Sequence, residues 1–374
     1  MSFSYANPGS GPSAGGIGWF NFGNLTLNPG DSLTGLTGTL NDGTTVTFDL
    51  SSPTNSSMIF DAIASPTYGN FGYTGYTGIL GNVLLQNQRI GTYDPSIIKI
   101  SNVVVKDSLG NPVSNYTTVV ADAEDTNIGE SWKFVTDGGV WNLLTTLGNN
   151  PPPLTGLGTQ TVDITGTTQL FSGDYVFTTQ SPKNLTFTAV TNGGLEAIAI
   201  GFAVTKVTLC KNIGDRIDSA DQFVMNIAGT PNAQTTTTGS AEGLQSPCTV
   251  VYGIPGNTYT INESMAAGSV SPLTAYTQTV SAVNQSVGGT IPPTGSLPIN
   301  FTPALGDVVK YTILNSAPQV FQKSVDKTFA QPGDILTYTV TGINPNNYPL
   351  PGVVFTDPPP SGTTYIGNLI VSVP

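Results

Sequence analysis

The chain has 374 residues, with 11 Lys and Arg against 23 Asp and Glu, a formal net charge of −12 and no histidine. Only 9% of residues are charged, against roughly 25% in an average soluble protein. These facts exclude a basic nucleic-acid surface, Ser-His-Asp and Cys-His catalytic groups, and HExxH metal sites.

Gly (44) and Pro (28) punctuate the chain, while 38% of residues are apolar and fall in short alternating runs. That pattern predicts an all-β protein of many short strands. No long stretch carries helical periodicity, and no apolar run reaches the length of a membrane span.

Residues 1–16, "MSFSYANPGSGPSAGG", are rich in Gly, Ser and Pro and predict a flexible tail. They hold neither the basic n-region nor the apolar h-region of a secretory signal. Export then rests on a leader removed earlier or on another route, such as release onto a spore surface.

Strands begin at "IGWFNFGNLTLNPGDSLTGLTGTLNDGTTVTFDL", with "NPGD" and "NDG" as turns, and a first sandwich is expected over 17–200. The Pro-rich "GNNPPPLTGLG" (148–158) reads as a surface loop within it. Tyr68, Phe71, Tyr73 and Tyr76 in "TYGNFGYTGYTG" form a glycine-spaced aromatic stretch able to stack on sugars. Packing within a hairpin or loop is the plainer reading. The densest acidic run, "VVADAEDTNIGESWKFVTDGGVW", offers Asp122, Glu124, Asp125 and Glu130. Solvated turn carboxylates are one reading of it. A calcium-binding loop is the other, since the oxygen ligands are right although their spacing fits no defined cage. Beyond that calcium, nothing in the chain calls for a cofactor.

A second sandwich is expected over 201–317. Its two cysteines, Cys210 and Cys248, have no metal-ligand spacing and predict one disulfide in an oxidising setting. In "YTINE", Tyr259, Ile261 and Glu263 share a strand face, so a carboxylate follows two core residues. In "FAVTKVTLC", Phe202, Val204 and Lys206 share a face; in "DVVKYTILN", Val309, Tyr311, Ile313 and Asn315 do. Lys211 lies on the other face of its strand by this count. If the first and last strands are neighbours, Lys206, Glu263 and Asn315 meet in the core. Burial disfavours both charges, leaving a neutral amine beside a carboxylic acid. Such an amine can attack the Asn315 amide, expel ammonia and leave an isopeptide crosslink, with Glu263 shuttling protons.

The last stretch, 318–374, gives strand signals but is short for a sandwich of roughly 100 residues. It is expected to be truncated or completed by strands of another chain. The overall expectation is a series of tandem β-sandwiches, Ig-like or jelly-roll-like.

Three resemblances follow from these residues. The Lys, "Y-x-I-x-E" and "Y-x-I-x-N" strands resemble the B-type domains of collagen-binding adhesins and Gram-positive pilins, which implies a self-generated Lys–Asn isopeptide bond. The stretches "GWFNFGNLTL", "ADAEDTNIGESWKFVTDGGVWNLL" and "GGLEAIAIGFAV" are similar to the non-repetitive ligand-binding domain of CshA-type bacterial surface adhesins. The segment "KSVDKTFAQPGDILTYTVTGINPNNYPLPGVVFTDPPPSGTTY" resembles a bacterial surface-repeat domain of unknown function, in which Lys323 or Lys327 and Asp357 would be the reacting candidates. Together they imply a structural and adhesive extracellular protein of a bacterial cell or spore surface, not an enzyme. Its partners would be a host glycan or protein. The alternative is a subunit of a self-assembling fibre, appendage or surface layer, whose partners are other copies of itself.

Overall fold

A computed structural model describes residues 1–66, 71–88, 95–167, 173–318, 321–342, 356–367 and 370. Its described residues are almost entirely strand and turn, arranged as consecutive β-sandwiches.

The first sandwich sets a nine-stranded sheet against a seven-stranded one. Thr45–Ser51 illustrates why: Val46, Phe48 and Leu50 are buried while Thr45, Thr47 and Asp49 are half-exposed, the period of two that a one-faced strand requires. Rings from both sheets meet in the core. Phe134 of Ser131–Thr136 packs edge-on against Phe177 of Asp174–Gln180 at 5.6 Å, and Phe48 lies 5.8 Å from Phe202 of Ala197–Ala203.

Two strands of the nine-stranded sheet, Thr117–Asp122 and Ala197–Ala203, are buried on both faces. The far face carries a second core in which Trp19, Phe71, Tyr76, Val119, Ala121 and Ala199 pack together. This second layer corrects two expectations. Residues 1–16 are no flexible tail: Ser2–Ser4 pairs antiparallel with Gly18–Asn21, and Ala6 and Ala14 join the second core. The aromatic stretch is no open platform either. Phe71 and Tyr76 are fully buried against Trp19, with ring centroids at 4.8 and 5.2 Å, and the Tyr76 hydroxyl donates to Pro12 O. Only Tyr73 is exposed, and Tyr68 lies outside the described residues. The physical reason is shared: a sheet apolar on both faces needs a cover, and these segments supply it.

The second sandwich pairs a five-stranded sheet with a four-stranded one. Its first strand, Thr205–Ile213, lies parallel to its last, Val308–Ser316, with Lys206 opposite Val308 and Ile213 opposite Asn315. Tyr259–Met265 runs in the facing sheet between Phe223–Ala228 and Ile299–Phe301. The expected disulfide joins Cys210 to Cys248. Beyond residue 320 the described residues form one two-stranded ribbon, Phe321–Val325 with Tyr338–Gly342.

Candidate functional site

Alternation in the second sandwich carries three polar side chains into its core. In Thr205–Ile213 the buried series is Thr205, Val207, Leu209, Lys211 and Ile213. In Tyr259–Met265 it is Tyr259, Ile261 and Glu263, and in Val308–Ser316 it is Val309, Tyr311, Ile313 and Asn315. Lys211 Nζ lies 2.7 Å from Glu263 Oε1, both side chains having no exposure to solvent. Asn315 Nδ2 donates to Glu263 Oε2 at 2.9 Å, and Gln278 Nε2 donates to the same oxygen at 2.7 Å. The face of the Phe223 ring closes the group, 4.4 Å from Lys211 Nζ.

Glu263 and Asn315 therefore sit where the sequence placed them, but the lysine is Lys211, not Lys206. Lys206 is partly exposed, over the Tyr252 ring at 5.4 Å, and lines a cleft of about 310 Å³ with Tyr5, Asp42 and Val287. The cause is a change of phase where one sandwich hands over to the next. Phe202 and Val204 point into the first core, whereas Val207 and Leu209 point into the second. The even-numbered face is thus inward before the handover and outward after it. Counting parity across Val204 put Lys206 on the wrong side.

Burial pulls the Lys211 ammonium down from 10.5 to about 8; Glu263 works against the shift and the Arg216 charge adds to it. An amine with that pKa is neutral in an appreciable fraction of molecules near physiological pH, which a surface lysine is not. The arrangement holds a nucleophilic nitrogen, a proton carrier and a side-chain amide in one dry contact.

The acidic run of the first sandwich is also placed differently from a solvated turn. Asp122, Glu124, Asp125 and Glu130 are all buried. A further carboxylate, Glu196, joins them from the start of another strand. Its signal in the sequence was a lone acid opening the unbroken apolar run "GGLEAIAIGFAV". In the last ribbon, Lys323 Nζ meets Asp357 Oδ1 at 2.6 Å, with both side chains partly exposed.

Residues 15–204 match the family model described as surface adhesin CshA non-repetitive domain 2. Residues 206–317 match the model of a prealbumin-like fold domain. Among solved structures, the major pilin protein (T-13) of Streptococcus pyogenes is 10% identical, with 81% of this chain and 99% of that one covered and a TM-score of 0.23. A bacterial adhesin from Mobiluncus mulieris containing intramolecular disulfide, isopeptide and ester bond cross-links is 11% identical. There the coverage is 63% of this chain and 91% of that one, with a TM-score of 0.25. Likeness at that level carries no functional weight. No curated protein matches the chain.

Proposed function

The chain belongs to the family of the surface adhesin CshA non-repetitive domain 2, which its residues 15–204 match, and on that basis we propose an adhesive and structural role outside the cell, on a bacterial surface. The first sandwich is the binding part, taking a host glycan or protein. The second is a load-bearing module locked by an isopeptide bond between Lys211 and Asn315.

One observation carries the crosslink: the fully buried contact of Lys211, Glu263 and Asn315. Glu263 Oε1 takes the proton from Lys211 Nζ. The freed amine attacks Asn315 Cγ, a half-turn of whose amide presents Oδ1 to the Glu263 hydroxyl and polarises the carbonyl. The Nζ–Cγ bond forms and the Cγ–Nδ2 bond breaks. Glu263 passes that proton to the leaving nitrogen, which departs as ammonia, and takes a second proton from Nζ as the amide forms. Atoms and charge thus balance without a cofactor, and Glu263 ends protonated. The fold contributes proximity, and exclusion of water raises the neutral fraction of the amine. The reaction occurs once per chain, which is why the protein is not an enzyme in the ordinary sense.

Intact-mass measurement of the purified chain tests this reading. The expected mass is the sequence mass less one ammonia and, for the disulfide, two hydrogens. Reductant restores the hydrogens only, and Glu263→Ala retains the ammonia. A wild-type mass that lacks only the two hydrogens would overturn the crosslink.

A second reading, a subunit of a fibre or surface layer, is favoured by the last ribbon. Its two strands are partnered only by each other among the described residues, and Phe329 and Ile335 are exposed beside them. A ribbon with open edges can be extended by a strand of another copy. Ordered fibres in electron micrographs of the purified chain would support that reading, and a concentration-independent monomer would remove it.

A further inference from the structure

In the first sandwich, far in sequence from the lysine site, Glu124, Glu130 and Glu196 each offer a carboxylate oxygen, and these atoms all lie within 4.8 Å of one another. They converge from three places: the loop after Thr117–Asp122, the residue before Ser131–Thr136, and the residue before Ala197–Ala203. All three side chains are buried.

Glu196 is the telling member. It has no solvent exposure, and neither of its oxygens makes a hydrogen bond of normal geometry. The Trp132 indole is near enough to ease the charge, yet its Nε1 also lacks a partner. The Glu196 backbone, by contrast, is fixed on both sides by Asn87, whose Oδ1 accepts from Glu196 N at 2.8 Å and whose N donates to Glu196 O at 3.0 Å. The side chain is thus anchored at its root and left bare at its tip, aimed at two other carboxylates. Burial pushes its proton affinity well up, as do Asp122, Glu124 and Glu130.

Gly194 backs the cluster from another side: a Cβ there would lie 1.9 Å from Glu130 Oε1. Gly194 is not in the left-handed region, so what the position requires is room for the carboxylate rather than conformational freedom.

We propose that Glu124, Glu130 and Glu196 bind a calcium ion. Oxygen-only ligands with no His or Cys select a hard cation. Calcium takes about 6–8 oxygens at roughly 2.3–2.6 Å, so ligands on opposite sides of one ion lie up to about 5 Å apart. Three carboxylates spanning 4.8 Å fit a single ion of that size and offer several oxygens to it. Magnesium gives up its water reluctantly and is poorly served by a dry multi-carboxylate cluster. Thr117–Asp122 and Ala197–Ala203 are paired in the nine-stranded sheet while Ser131–Thr136 belongs to the seven-stranded one, so the ion ties the two sheets together and stabilises the first sandwich.

The full chain tests this with terbium as a luminescent probe, excited through the nearby Trp132. One terbium per chain is expected, displaced by calcium and not by the same concentration of magnesium. Saturating calcium is expected to raise the melting temperature of the first transition over the value in EDTA by about 5 °C or more. Glu196→Gln should weaken calcium binding about tenfold or more while melting in EDTA no lower than wild type, because it removes one of the mutually repelling charges. Gly194→Ala, which changes no charge, should also weaken binding by displacing the Glu130 carboxylate. No terbium signal with no calcium-dependent shift in the wild type would overturn the site and leave protonated carboxylates in its place. Unchanged binding in both variants would also overturn it. If Glu196→Gln does not fold, the wild-type titration and Gly194→Ala decide alone.

Discussion

Lys211 Nζ and Glu263 Oε1 stand 2.7 Å apart in a core that admits no solvent to either side chain. Removing one partner of such a pair strands the other charge, which costs about 3–5 kcal/mol, whereas replacing both with apolar residues is close to neutral. In an Asn315→Ala background, where no crosslink can form, Lys211→Met should therefore destabilise the second sandwich by about 3–5 kcal/mol. Adding Glu263→Leu should recover most of that loss. Urea unfolding of these three chains and of the Asn315→Ala chain with Glu263→Leu alone measures the cycle, and additive losses would contradict the pairing.

The same Asn315→Ala chain has a predicted pH dependence. Folded Lys211 releases its proton near 8, whereas in the unfolded chain it holds on to about 10.5. Between those values the unfolded state binds more protons, so stability must rise with pH across that window and gain nothing from this group below it. Urea midpoints of Asn315→Ala should climb from pH 8 toward 10 relative to a chain that also carries Lys211→Met. Parallel curves would show that Lys211 is not desolvated as described.

Lys206 and Lys211 make opposite predictions for the intact mass. Lys206→Met should leave the loss of ammonia untouched, since Lys206 faces Tyr252 on the other side of its strand. Lys211→Met should abolish it. The reverse outcome would restore the parity count that the handover at Val204 upset.

The disulfide should be worth about 3–4 kcal/mol to the second sandwich, because it closes a loop over a sequence separation of 38 residues in the unfolded chain. Cys210→Ser with Cys248→Ser in a crosslink-free chain isolates that contribution. In a crosslinked chain the effect should be smaller, since the proposed Lys211–Asn315 bond would enclose Cys248 and begin one residue after Cys210, and so would already restrict most of the same loop in the unfolded ensemble.

Phe71→Ala should destabilise the first sandwich by about 3–5 kcal/mol, as expected for a large ring deleted from a packed core. Tyr73→Ala, at an exposed position, should fall within about 0.5 kcal/mol of wild type. Thermal melts of the two variants distinguish an aromatic cover from an aromatic platform; equal and small effects would favour the platform.

What the sequence could reveal followed from how far a period of two can be counted safely. Within one strand it worked: Val46, Phe48 and Leu50 point inward, as do Ile261 with Glu263 and Ile313 with Asn315. Across a domain junction it failed, because at Val204 the side facing a core changes and nothing in "FAVTKV" marks the change. The disulfide needed no geometry, only two cysteines in one domain. The second core was hidden for a different reason. An unbroken apolar strand such as "AIAIGFA" declares that both faces are covered, but not by which segment, and Gly- and Ser-rich composition disguised residues 1–16 as a tail. Glu196 was missed because its partners lie some distance away in sequence, and only the tertiary fold brings Glu124 and Glu130 to it.

The parallel alignment of Thr205–Ile213 with Val308–Ser316 also sets how the second sandwich behaves as a link. A chain that enters along one strand and leaves along its parallel neighbour enters at one pole and exits at the opposite pole. Each such module therefore adds its full length to a rod instead of doubling back. Tension applied through its two ends slides these strands lengthwise, so the hydrogen bonds from Lys206 to Asn315 resist together rather than opening one at a time.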